Sequence, residues 1–278
     1  MSFDFDDFDV RARFSELDDR SDELRQLLRD LPDERADFDE RCRIAYIYHD
    51  SALEGVVLTY HELRAAVDRK VASDSSLIPT YQEIKNHADA LDVVDQLCRE
   101  EIAKKQRGRN PKVTAQFFTD LHVLLTKGLI RKNPGAFRKD MPLHRTYFHD
   151  IFEPAQIEAG LKGVVEFVDN ADFRAQHPIN QACLFHAEFM KVFPYTDGSG
   201  KVGRLVMNYF LIRSGYLPAV IHASDRQAYY EALKDGPEAL RLIVIEAMEQ
   251  AVDAGVRHLR DRLRTRSAVR GRVRSYAG

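Results

Sequence analysis

The chain has 278 residues, 44% of them hydrophobic, and a formal net charge of −3. That length suits one large domain or a core with an added lobe, and the apolar content is enough for an ordinary buried core. No apolar run is long enough to cross a bilayer, which excludes a membrane-spanning helix.

The first residues, Met1-Ser2-Phe3-Asp4-Phe5-Asp6-Asp7, are acidic and lack the basic and apolar regions of a secretory signal. Phe14, Leu17, Leu24, Leu27, Leu28 and Leu31 fall at helical spacing, and Pro32 stops that helix. Asp39 to Leu53 reads as a second helix ending at Gly55, and Thr59 to Val71 as a third, capped by Thr59. Ser73 to Ser76 is a loop, Thr80 to Ala103 a long helix, and Arg107 to Lys112 a basic turn with Gly108 and Pro111. Thr114 caps a helix to Lys127. Lys139 to Phe152 lacks helical periodicity and is expected to be a short β-hairpin. Helices are then predicted over Pro154 to Val168, Ile179 to Val192, Val202 to Ser214, Asp225 to Leu233 and Leu240 to Leu263. The class is all-α, and no internal repeat is present.

Cys42, Cys98 and Cys183 are far apart and odd in number, with neither metal spacing nor a disulfide framework. A reducing cytoplasm is therefore expected, with export as an effector lacking a cleaved signal as the alternative. Charge is segregated: residues 1 to 40 hold 15 acidic and 6 basic side chains, whereas Arg257 to Arg274 holds eight arginines and one aspartate. A basic run of this kind reads as a solvated helix end that fades into disorder, covered by the acidic N-terminus. No nucleic-acid motif accompanies it, so nucleic acid is not an expected partner.

Residues 192 to 204, Val-Phe-Pro-Tyr-Thr-Asp-Gly-Ser-Gly-Lys-Val-Gly-Arg, carry the most chemistry. Gly198 and Gly200 open backbone angles closed to other residues, so that several N–H groups can converge on one anion. The helix starting near Lys201 adds the positive end of its dipole. Arg204 lies one turn on and can grip phosphate oxygens with its planar fork. Asp197 is a hard carboxylate suited to a magnesium ion bridging phosphates. The set describes a site for a magnesium polyphosphate.

The stretch from His186 to Leu217 resembles the core of the Fic (Fido) family, whose motif is HPFxDGNGRxxR. Further matches are Asn133-Pro-Gly-Ala-Phe-Arg138, Leu121-His122, Leu217-Pro218 and Tyr229-Tyr230-Glu-Ala-Leu233, so the resemblance covers roughly residues 42 to 250. It implies a Fic-type helical bundle with a hairpin flap over residues 139–152 that clamps a target protein by adding a strand. It implies AMP transfer from ATP, with magnesium, to a target hydroxyl. The expected division is an acidic extension over 1–40, a helical lobe with an inhibitory helix over 41–110, a Fic core over 111–255 and a basic tail over 256–278.

The departures from the motif matter as much. The family's motif histidine is its general base, and Phe193 stands there with no lone pair to accept a proton. Ser199 replaces the motif asparagine and Lys201 the first arginine, whereas Asp197, Gly198, Gly200 and Arg204 are kept. Asp50-Ser51-Ala52-Leu53-Glu54-Gly55 resembles the family's inhibitory pattern [S/T]xxxE[G/N], in which Glu54 would pair with Arg204 and obstruct the γ-phosphate. Asp50 replaces the leading Ser or Thr. His144 and His149, in the flap, are candidate substitutes for the base. His186 matches a structural family histidine, and Tyr229 and Tyr230 match a region that flanks the adenine. The expected function is a nucleotide-binding Fic-fold protein with weak or no AMP transfer. The alternatives are altered chemistry on the same pocket, or an interaction module without catalysis.

Overall fold

One helix buried on nearly every face organises the chain. The computed structural model describes residues 8–67, 78–103, 113–142 and 150–276. Its helices in chain order are α1 (Phe8–Asp30), α2 (Arg35–Leu53), α3 (Tyr60–Val67), α4 (Ile78–Ala103), α5 (Ala115–Thr126), α6 (Ile157–Asp169), α7 (Ala171–Ala175), α8 (Pro178–Val192), α9 (Ser199–Arg213), α10 (Arg226–Asp235) and α11 (Pro237–Tyr276). The protein is all-α, and no strand occurs among the described residues.

Every residue of α9 except Ile212 is buried. A helix apolar around most of its circumference must be walled in on all sides. Here α8 packs along it, α4 and α5 cover further faces, and α11 backs α8. Phe185, Phe189, Phe210 and Tyr209 fill the interior in stacked, tilted and edge-to-face pairs.

Local signals set the helix ends. Thr59 and Glu62 form a reciprocal cap at the start of α3, with Thr59 N donating to Glu62 Oε2 at 2.7 Å and Glu62 N to Thr59 Oγ1 at 3.2 Å. Thr114 accepts from Phe117 N at 3.0 Å at the start of α5. Gly55 turns the chain out of α2 with a φ of 83°.

The acidic N-terminal helix lies along α11. Leu24, Leu27 and Leu28 of α1 and Leu31 just after it join Phe38, Val252, Val256 and Leu259 in a second apolar cluster. Ion pairs line its edges: Arg13 to Glu249 at 2.8 Å, Arg262 to Glu34 at 3.3 Å, and Arg20 to Asp253 and Arg260 to Glu23. The basic stretch therefore does not fade out near Leu263; α11 runs on to Tyr276. Other helix starts fall earlier than the residue pattern suggests, among them α2 at Arg35, α4 at Ile78, α9 at Ser199 and α11 at Pro237. For α9 the reason is that Gly198, at φ 81°, already serves as its N-cap. Residues 139–142 and 150–152 of the expected hairpin form no strand, and residues 143–149, with His144 and His149, lie outside the described residues.

Candidate functional site

The glycine loop begins with backbone strain. Phe193 ends α8 in the left-handed region (φ 44°, ψ 63°), a conformation costly for a residue with a Cβ. Its ring is half-buried against the main core. Buried Arg138 holds the turn. Its Nε donates to the Phe193 carbonyl at 2.7 Å, its Nη2 to the carbonyls of Val192 (3.3 Å) and Phe152, and its backbone N to Pro194 O at 2.9 Å. One guanidinium thus ties the end of α8 to both ends of the flap segment.

The next residues are pinned from inside. Ser199 Oγ accepts from Tyr195 N at 2.8 Å and donates to Tyr195 O at 2.9 Å. The Tyr195 ring stacks on His122 with centroids 3.8 Å apart. His122 Nδ1 accepts from Gly135 N and its Nε2 donates to Asp197 O, each at 3.0 Å. Both bonds suit a neutral ring protonated on Nε2, and burial, opposed by Asp197, pushes its pKa down.

Arg204 is the electrostatic centre. It is 2% exposed. Its Nη2 donates to Glu54 Oε1 at 2.6 Å, its Nε to Asp50, and its Nη1 to Tyr229 Oη at 3.2 Å. Burial works against the guanidinium's charge, but Asp50, Tyr229 and Glu54 outweigh it and hold the pKa well above the ordinary arginine value. His87 lies 3.3 Å from Asp50 and is kept neutral, first by burial and then by Lys201 and Arg204. The Glu54 carboxylate also lies against Gly200 in the first turn of α9: a Cβ there would collide with Oε1 and stand 2.8 Å from Arg204 Nη1. A carboxylate thus sits where a helix N-terminus and a guanidinium meet, the arrangement that attracts anions.

The other charges of the loop are also paired. Lys201 Nζ, nearly buried, donates to Glu83 of α4 at 2.8 Å. Exposed Asp197 receives Lys132 at 2.9 Å. Asp197 is a hard carboxylate of the kind magnesium takes from a protein, and here Lys132 engages it. The cavity next to Asp197, bounded by Lys132, Asn133 and Thr196, is about 70 Å³, too small for a nucleotide.

The expected site residues therefore divide. Asp197, Gly198, Gly200, Lys201, Arg204 and Glu54 come together at the start of α9. Ser199 belongs to the same turn, but its hydroxyl is committed to Tyr195. Tyr229 has no exposed surface, and its hydroxyl bridges His186 Nε2 at 2.7 Å and Arg204, so its ring is not open to a base. His186 is a hydrogen-bonded core residue. Tyr230 is half-buried, and its hydroxyl donates to Leu53 O at 3.0 Å, helping Arg226 hold the end of α2. Sequence reasoning missed Glu83, His87, Lys132 and the clamp made by Arg138. Asp50 was visible as a departure, and its place four residues before Glu54 puts both carboxylates on one face of α2.

Known proteins resemble the chain in sequence and in fold. The Fic/DOC family profile matches residues 112–211. The protein adenylyltransferase Fic of Nematostella vectensis is 28% identical over 229 residues, covering 81% of this chain and 51% of the relative. That of Drosophila ananassae is 25% identical over 191 residues, covering 68% and 36%. The chain thus spans about half, or less, of the length of these curated relatives. Among solved structures, a Fic domain containing signaling protein from Bacteroides thetaiotaomicron superposes with a TM-score of 0.67 at 21% identity, covering 85% of this chain and 96% of that one. Fic-1 from C. elegans (aa134–508) gives 0.69 at 20%, covering 88% and 71%. These likenesses carry the fold. Profile, relatives and architecture all point the same way: residues 112–211 match the Fic/DOC family, and the chain resembles Fic proteins in sequence and fold.

Proposed function

We propose that this protein binds a magnesium nucleotide at the N-terminus of α9 and transfers AMP weakly or not at all. The observation that carries the reading is the Glu54 carboxylate, already seated between Gly200 and Arg204. An acidic side chain taking the place of a phosphate is evidence that the place suits anions, and it blocks them. Relatives named protein adenylyltransferase Fic support the reaction class. Magnesium, when bound, would neutralise phosphate charge. This chain's own part is to present the amides after Gly198 and the Arg204 guanidinium, and to offer Asp197 to the metal.

Phe193 is the reason for weak transfer. The reaction needs a group that removes a proton from the target hydroxyl, and a phenyl ring cannot. Among the described residues, His122 bonds to the loop at Asp197 and His186 to Tyr229 beside Arg204, and both ring systems are committed to hydrogen bonds inside the fold. On this reading the remaining activity is nucleotide binding held in check by Glu54, with the segment 139–152 as the surface offered to a partner protein. Titration calorimetry with magnesium and ATP tests it. The unaltered protein should bind feebly, and Glu54→Gly should tighten binding by about tenfold or more, the scale of one relieved charge contact. Equal affinities in the two proteins would remove the inhibitory role of Glu54. Absence of any nucleotide binding in both would remove the reading altogether.

A further inference from the structure

Glu54 is not the only carboxylate on Arg204. Asp50 takes the Nε edge of the same guanidinium, from a position 3% exposed. The two differ in kind. Glu54 ends α2 as its C-cap, and about a quarter of its side chain is open, so it can swing away. Asp50 is inside α2, walled by His87 and Arg204, and has nowhere to go. Displacing Glu54 therefore leaves Arg204 with Asp50 on Nε and Tyr229 on Nη1, and only Nη2 is freed.

The charges around the loop follow the same pattern. Three cations, Lys132, Lys201 and Arg204, meet four carboxylates, Asp50, Glu54, Glu83 and Asp197. With Glu54 gone the set is only balanced. What then draws an anion is the dipole and amides of the α9 N-terminus, which reach little beyond the first turn. A terminal phosphate lying out at Arg204 meets a guanidinium whose charge is already matched and whose Nε edge is taken, in place of a free cation open on both edges. We infer that Asp50 sets the phosphate length this site accepts, and that its ligand is a nucleoside diphosphate or monophosphate in preference to a triphosphate. This rests on the nucleotide reading above and narrows it.

Calorimetry on Glu54→Gly with AMP, with ADP plus magnesium and with ATP plus magnesium decides the matter. ADP should bind at least as tightly as ATP, or within about threefold of it. Adding Asp50→Asn, or Asp50→Ser as an independent replacement, should shift the ratio toward ATP by about tenfold, because Arg204 regains an unmatched charge and a second free edge. A Glu54→Gly protein that prefers ATP tenfold overturns the inference and leaves nucleotide binding standing. So does a ratio unmoved by either Asp50 replacement in proteins that melt like their parent. If the Asp50 variants do not fold, the ratio in Glu54→Gly alone decides. No binding of any nucleotide sinks the inference together with the reading beneath it.

Discussion

Arg138 Nε reaches the carbonyl of Phe193, 55 residues on, at 2.7 Å, and through it fixes that residue in a left-handed turn. Because the Arg138 guanidinium is 3% exposed and binds several main-chain oxygens, removing it strands buried acceptors. Arg138→Met should lower stability by about 2–4 kcal/mol. Arg138→Lys should recover only part of that, because one ammonium cannot span acceptors that a planar fork reaches together. Urea unfolding of the three proteins measures both steps. A Lys variant as stable as the parent would mean that charge alone does the work.

The second expectation concerns chemistry. Phe193→His combined with Glu54→Gly restores a proton acceptor and vacates the anion seat. It should produce adenylylation of the protein or of an added partner, detected as an added AMP mass, while Glu54→Gly alone shows a rate lower by about 10²–10⁴. If the double variant binds ATP and gains no AMP, the fault lies in Lys201 and Ser199, whose side chains are already engaged by Glu83 and Tyr195.

The loop was legible because its signals are local. Two glycines, a serine and the cations after them sit within seven residues, and the caps at Thr59 and Thr114 are equally short in range. The helical class followed from apolar spacing. Apart from Glu54 with Arg204, which the family resemblance implied, the ion pairs were not legible. Arg204 finds Asp50 154 residues away, and Lys201 finds Glu83 118 residues away, with no periodicity linking either pair. The same reason accounts for α11. An arginine-rich run has no apolar stripe of its own to announce a helix, and the acidic partners that border it are more than two hundred residues earlier in α1 and the turn after it. The tyrosines misled for a different reason: proximity of Tyr229 to the site is real, but burial turns it into a support for Arg204.

A glycine in contact with a carboxylate gives a third expectation. Gly200→Ala introduces a Cβ where Glu54 Oε1 now lies and 2.8 Å from Arg204 Nη1; both are side-chain ends, so Glu54 must swing off and the guanidinium must shift slightly. The stability cost should be small, below roughly 2 kcal/mol, since alanine is the better residue inside a helix. Nucleotide affinity should not rise as it does in Glu54→Gly, because the methyl group now occupies the same close approach. Thermal melts and calorimetry on the two variants together check this. Equal gains in affinity would show that the amide of residue 200 is not approached by phosphate.

Acid should weaken the fold. Burial holds His87 well below the usual histidine value, with Lys201 and Arg204 adding to it. Burial and the stacked His222 ring lower His49 to about 4. His122 and His177 are lowered by burial as well. In the folded protein these rings take up protons less readily than in the unfolded chain, where they do so below about pH 6.5. The unfolded state therefore binds more protons as pH falls, and stability must fall with it. The contribution is fully present above the unfolded value and is lost progressively below it; for His49 the loss is complete near pH 4. His87, 1% exposed, gives a slope approaching about 1.4 kcal/mol per pH unit. Urea midpoints from pH 7.5 to 5 should fall steadily in the parent and less steeply in His87→Gln, which cannot titrate. Parallel slopes would mean that Asp50, 3.3 Å from the ring, lets His87 charge in place.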